Sequence, residues 1–168
     1  IGVDSRLFDD IVYSWWQNKT PKDEFLEILD NYYQSIDRNY QAILNPHVLS
    51  LLDYLKTNHY QIALASSSSK QLIDKALISS GIFDYFDLIT SGMAFQESKP
   101  HPEIYLYTIE KLHARKEETL IIEDSSPGIQ AAVNAGIDVV AIKDKRFSLD
   151  QSQANAIIDD IIDVKKYI

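Results

Sequence analysis

Cysteine is absent from the 168 residues. Disulfides, thiolate nucleophiles and cysteine-held metals are therefore excluded within them, and the expected place of action is a reducing cytoplasm. Positive charge is scarce: 16 Lys and Arg stand against 25 Asp and Glu, a formal net charge of −9. Such an acidic chain is a poor partner for nucleic acid or an anionic membrane. No apolar run is long enough to span a bilayer, and no secretory signal pattern is recognisable. Neither Gly-x-Gly-x-x-Gly nor a Walker-type loop occurs, which sets dinucleotide and P-loop enzymes aside. Internal repeats are lacking, and Ser66 to Ser69 is the sole low-complexity stretch. What is there is a hydrophobic content of 45%, enough for one real core. The length fits about one domain, or a small domain with an appendage.

The most informative stretch is Leu120-Ile121-Ile122-Glu123-Asp124-Ser125-Ser126-Pro127-Gly128-Ile129. An apolar run, read as a buried strand, ends in two adjacent acids and turns at once into a helix that carries Pro127 near its first position. Open α/β sheets keep their sites at the C-terminal ends of parallel strands. Two carboxylates there need a countercharge, and a hard cation such as Mg²⁺ supplies it. On this segment alone a second reading stands equally: Asp and Ser both cap helices well.

Two further segments bear on that choice. Tyr60-Gln61-Ile62-Ala63-Leu64-Ala65 reads as another buried strand, running into Ser66-Ser67-Ser68-Ser69 and a helix from Lys70 to Ser80. Hydroxyls and backbone N–H groups at such a junction form an anion seat. Glu97-Ser98-Lys99-Pro100-His101-Pro102-Glu103 then places Lys99 just before a proline-bracketed helix start. Serines, a lysine and an acidic pair are the parts needed to hold a phosphoryl group.

These segments, densest from Ile62 to Gly136, resemble the haloacid dehalogenase-like hydrolase superfamily, in the branch of β-phosphoglucomutase and small sugar-phosphate phosphatases. Ile62-Ala63-Leu64-Ala65-Ser66 resembles the second motif, which implies that Ser66 hydrogen-bonds the phosphoryl group. Ser98-Lys99-Pro100-His101-Pro102 resembles the third, which implies that Lys99 neutralises charge on nucleophile and phosphate. Ile122 to Ile129 resembles the fourth, whose acids, here Glu123 and Asp124, hold Mg²⁺ directly or through water. Ser67 and Ser68 are candidates for further substrate contacts. Gly2-Val3-Asp4-Ser5-Arg6 loosely resembles the loop where the mutases keep a phosphate-binding arginine, which makes Arg6 a candidate too. No match to the mutases' cap lysine is found, which favours phosphatase over mutase. The family's first motif, a strand ending in Asp-x-Asp whose first Asp is the nucleophile, has no counterpart: Asp4, Asp144 and Asp159-Asp160 all stand in the wrong context. The expectation is a fragment, inactive as it stands, with reduced stability or self-association from a gap in its sheet.

The resemblance implies an α/β fold: a Rossmann-like, three-layer parallel sheet lacking its first strand, plus a partial α-helical cap. Residues 1–43 are read as the cap and 44–168 as the core. Leu7, Phe8, Ile11, Val12, Trp15 and Trp16 form one helical stripe. Thr20 is read as the cap of a second helix that puts Phe25, Ile28, Leu29, Tyr32, Tyr33 and Ile36 on one face. Asn45-Pro46 opens another helix. Strands are expected at 60–65, 86–90, 119–123 and 138–142, and helices at 70–80, 102–113 and 127–135. Ser148-Leu149-Asp150-Gln151 resembles a capping box and predicts a short helix. Residues 156–158 suggest an edge strand and 161–167 a terminal helix. His101 reads as a general base or a surface group, and the other histidines share no metal-ligand spacing. The leading functional expectation is Mg²⁺-dependent phosphoryl transfer on a small phosphorylated sugar or metabolite, in an intact parent that is a monomer. The alternatives are a catalytically dead phosphate- and metal-binding module, or a purely structural fragment.

Overall fold

The computed structural model describes residues 5–16, 19–36, 38–143, 145 and 148–168, with the backbone alone at 5–7 and 34. Asp4, Asp144 and the side chain of Arg6 lie outside the described residues. Elements follow in the order α1 (Ser5–Trp15), α2 (Lys22–Ser35), α3 (Val48–Thr57), β1 (Ala63–Ser66), α4 (Lys70–Ser80), β2 (Leu88–Ser91), α5 (Glu103–Lys111), β3 (Leu120–Glu123), α6 (Ser126–Ala135), β4 (Asp138–Ile142) and β5 (Ala156–Ile158). A 3₁₀ segment, Ile161–Lys166, comes last.

Among the described residues all strand pairings are parallel. β1 pairs with β2, Ala63 opposite Leu88 and Ser66 opposite Ser91. β3 pairs with β4 and β4 with β5, from Leu120 opposite Asp138 to Ile142 opposite Ile158. Helices cover both faces, as parallel strands require. Alternation along each strand assigns the layers. Ile121, Val139 and Ala141 pack with Ile104 of α5 and Ile129 of α6 on one face. Val140 and Ile158 meet Leu51 of α3 and Val164 on the other. Leu64 and Ile89 join Leu52, Ile73 and Leu77 between α3 and α4. α4 and α6 stop where expected, at Gly81 and Gly136, whose φ of +71° and +69° closes each helix without a Cβ penalty. This is the α/β architecture of parallel strands between helices that the family resemblance implies.

The sheet is in two pieces. Among the described residues no hydrogen-bonded ladder joins β1 to β3. The two strands instead line a cleft of about 1000 Å³ together with α3. A second cavity of about 430 Å³ lies against the same strands on the α5 side. Ala63, Ala65, Ile122 and Glu123 border both, so the two strands flank one slot through the sheet.

Several expectations need correction. β1 begins at Ala63 rather than Tyr60, because Asp87 caps its approach: its Oδ2 accepts from Ile62 N at 2.8 Å while Lys56 holds Oδ1. Thr20 does not cap α2. Pro21 occupies that position, and Thr20 Oγ1 is buried with no hydrogen-bond partner among the described residues. α1 and α2 pack around Phe25, which sits between the rings of Tyr13 and Trp16 at 5.5 and 5.4 Å. The remainder of the stripe is less buried than its spacing predicts: Trp15, Ile28 and Tyr32 are exposed. Residues 148–151 form no helix. Ser148 has a φ of +46°, and Asp150 accepts from Ser152 N in a local turn instead. The terminal segment is 3₁₀, entered through Asp160, whose Oδ1 accepts from Ile162 N. Among the described residues no helix is long and apolar enough to cross a membrane.

Candidate active site

The cleft brings together Ser66, Ser67, Ser68, Lys99, Glu123 and Asp124, all but Arg6 of the predicted site residues. Each arrives at the C-terminal end of a strand or in the loop that follows it. Ser66 closes β1, and its Oγ accepts from Ser68 N at 3.2 Å. Ser91, its partner across β2, donates from Oγ to Ser68 O at 2.7 Å. The serine loop is thus held in a tight turn before α4. Ser69 is the N-cap there, accepting from Leu72 N, which leaves the three preceding serines at the cleft.

Lys99 crosses the slot. Its Nζ donates to Ala65 O on β1 at 3.3 Å and forms a buried ion pair with Glu123 Oε1 at the end of β3. Both side chains are about nine-tenths buried, at 9% and 10% exposure. Tyr105 lies beneath: its ring centroid is 4.6 Å from the ammonium, and its hydroxyl donates to Glu123 Oε1 at 2.6 Å. Burial, then the charge of Glu123, pushes the Tyr105 phenol well above its ordinary value, so it remains a neutral donor. Glu123 Oε2 accepts from the backbone N of Asp124 and Ser125 and from Ser125 Oγ, at 3.0–3.3 Å. Burial raises the Glu123 pKa, but the Lys99 charge and these hydrogen bonds outweigh it and hold the carboxyl below its usual value. Five donors converge on one carboxylate, which makes it an anchor for the β3–α6 turn.

The two readings of the acidic pair separate here. The cap of α6 is Ser125, whose Oγ accepts from Gly128 N at 3.1 Å, with Pro127 in the first turn. Asp124 is therefore not the capping group. It stands in the exposed part of the turn, on the cleft wall, with its carbonyl accepting from Gln151 Nε2 at 2.8 Å.

The sequence over residues 7–142 matches the profile of the haloacid dehalogenase-like hydrolases. The chain belongs to that family. It is 30% identical over 121 residues to a phosphorylated carbohydrates phosphatase of Thermotoga maritima, which covers 68% of this chain and 56% of the relative. It is 29% identical over 128 residues to a phosphoglycolate phosphatase of Nitrosococcus oceani, covering 74% of this chain and 57% of that protein. The crystal structure of a β-phosphoglucomutase from Clostridium difficile superposes with a TM-score of 0.80 at 28% identity, over 95% of this chain and 72% of the other. The chain thus spans a little more than half the length of these curated relatives.

The donor chemistry of the cleft suits a hard cation in part. Among apolar side chains the cleft presents the Ser66, Ser67 and Ser68 hydroxyls, the Lys99 ammonium and the Asp124 carboxylate, oxygen donors of the kind a hard cation takes. Among the described residues no three acids or histidines gather to hold a metal. One carboxylate is a sufficient protein share for Mg²⁺, which keeps several waters and takes oxygens from substrate phosphate. Asp124 fits that role, while the Glu123 oxygens are already engaged by protein donors.

Sequence reasoning missed three supporting residues. Tyr105 sits six positions after Lys99 on the buried face of α5, and that placement was the available signal. Gly128 leaves room for Glu123: a Cβ there would lie 2.2 Å from its carboxylate carbon. Gln151 was read as part of a capping box, yet it is buried against the turn. His101 is turned outward, with Nε2 3.0 Å from Glu97 and Nδ1 3.8 Å from Glu103, and it is absent from the cleft wall.

Proposed function

We propose that the whole protein is a Mg²⁺-dependent phosphatase or β-phosphoglucomutase-like enzyme acting on a small phosphorylated sugar or metabolite. The observation that carries this reading is the slot. An ammonium, a serine loop and an acid stand at the C-terminal mouth of two parallel half-sheets whose facing edges are unpaired. A parallel strand completing that sheet would satisfy both edges and bring its last residues to the same mouth. A carboxylate there is the nucleophile that the family resemblance implies.

Ser66 and the loop that follows it would bind phosphoryl oxygens through hydroxyl and backbone donors. Lys99 has three N–H donors. Glu123 and Ala65 use two, and the third would meet the phosphoryl group or the nucleophile. The incoming carboxylate oxygen would form a bond to phosphorus as the bond from phosphorus to the alcohol oxygen breaks. That oxygen would take a proton from the second Asp of the implied Asp-x-Asp motif, which would recover one from the water or hydroxyl that attacks next. Water, or a sugar hydroxyl in a mutase, would then take the phosphoryl group and release the carboxylate. Mg²⁺ held by Asp124 would supply neutralising charge at the phosphoryl oxygens. The rest is positioning and fixed electrostatics. α1 and α2 would belong to a cap over the site, residues 1–43, with 44–168 as the core. The enzyme would act in the cytoplasm as a monomer. Residues 1–168 by themselves would show no turnover without a strand in the slot.

The test is phosphate release by the full-length protein from a panel of phosphorylated sugars, with and without Mg²⁺. Turnover of at least one sugar phosphate that needs Mg²⁺ is the expected result. No turnover of any, by a folded full-length protein, would favour a binding module instead.

A further inference from the structure

The acid pair is fixed from two sides, and Lys99 and Tyr105 account for only one. On the other lies Gln151, 7% exposed. An amide nitrogen carries two N–H donors. Gln151 Nε2 gives both to strand-end carbonyls, Asp124 O and Ile142 O, each at 2.8 Å. The first belongs to the candidate cation-holding residue just past β3. The second ends β4. Beside it, Ser126 Oγ donates to Asp150 O at 2.6 Å, so the segment 150–151 is pinned twice to the β3–α6 turn. The peptide that carries the Asp124 carbonyl cannot rotate without breaking this part-buried hydrogen bond and stranding that carbonyl and one Gln151 N–H.

We propose that Gln151 is a positioning residue for Asp124: it fixes the peptide from which the carboxylate is presented to a cation in the cleft. This rests on the phosphoryl-transfer reading above. It adds a residue from outside the three motifs, supplied by the connection between β4 and β5.

The same segment supplies a control. Asn155 accepts from Val139 N at 2.8 Å and donates to Asp138 Oδ1 at 2.9 Å. It therefore clamps the opposite, N-terminal end of β4, where no site residue stands. Loss of either clamp loosens the segment, but only Gln151 touches Asp124.

The experiment compares Gln151→Met, similar in length and without donors, with Asn155→Ala in the full-length protein. Mn²⁺ binding is read by electron paramagnetic resonance, and thermal stability is read in parallel. Gln151→Met is expected to weaken Mn²⁺ binding by about tenfold or more, as loss of an outer-shell partner does. Asn155→Ala is expected to bind Mn²⁺ like the wild type despite its own loss of stability. Wild-type affinity in Gln151→Met overturns the inference, and so does equal weakening in both variants. If Gln151→Met does not fold, Gln151→Glu, nearly isosteric, enters the same comparison with the same deciding outcomes. A wild type that binds no Mn²⁺ overturns the functional reading, and the inference falls with it.

Discussion

Alanine in place of Gly128 is expected to act against the usual rule. In a helix, Gly→Ala ordinarily stabilises by about 0.5–1 kcal/mol, because alanine loses less backbone entropy on folding. Gly128 lies in the first turn of α6, so that gain applies here too. The added Cβ, however, would stand 2.2 Å from the Cδ and Oε1 of Glu123 and 2.3 Å from Oε2. The carboxylate must leave, and it does not leave cheaply. It accepts from Lys99, Tyr105, Asp124 and Ser125. Separating the partners of a buried ion pair costs about 3–5 kcal/mol. Set against the helix gain, the net loss comes to about 2–4 kcal/mol. For a chain of this size that lowers Tm by roughly 5–15 °C. The assay is urea unfolding of the full-length protein in a double-mutant cycle with Glu123→Ala. With the carboxylate removed, the new methyl group has nothing to displace, and Gly128→Ala should be neutral or slightly stabilising. A coupling energy near zero, or a Gly128→Ala protein as stable as the wild type, would refute the socket.

Two further predictions concern the buried pair. Glu123 has a folded pKa below its ordinary value of 4.5. Its stabilising contribution is therefore complete above that value and is lost as pH falls through the lower folded pKa. Urea midpoints followed from about pH 6 to pH 3 should fall more steeply in the wild type than in Glu123→Gln; parallel curves would contradict this. Lys99→Met should lower kcat/KM by about a hundredfold or more and also destabilise, since it strands the Glu123 charge. Adding Glu123→Gln should recover the stability and leave the activity low, whereas recovery of both would remove Lys99 from the chemistry.

Much of the fold was legible because parallel strands are short apolar runs and their helices end in recognisable signals. Leu120 to Glu123 and Asp138 to Ile142 form strands nearly where the pattern places them, and Gly81 and Gly136 end their helices as read. Boundaries moved where a side chain from elsewhere intervened, as Asp87 does at Ile62. The segment 148–151 misled because its residue types suit a capping box, while its amide is committed to carbonyls at positions 124 and 142. Nothing local in the sequence encodes that. The candidate site was legible at the level of motifs: the serine loop, Lys99 and the acids line one cleft. The setting of the Glu123 carboxylate was not, because it depends on Tyr105 and Gly128 reaching that carboxylate from α5 and α6. The aromatic stripe of α1 and α2 shows the limit of periodicity. Spacing gives the face, but burial depends on a partner: Phe25 is buried against the Tyr13 and Trp16 rings, while Trp15, Ile28 and Tyr32 remain exposed.

The central claim is that this cleft transfers phosphoryl groups with Asp124 at its cation. The most direct measurement is Mg²⁺-dependent phosphate release from a sugar phosphate by the full-length protein, wild type against Asp124→Asn. The substitution keeps size and removes only the charge. A sharp loss of turnover, with the melting temperature unchanged, is the predicted result. Asp124→Asn turning over like the wild type at the same Mg²⁺ concentration would contradict the account.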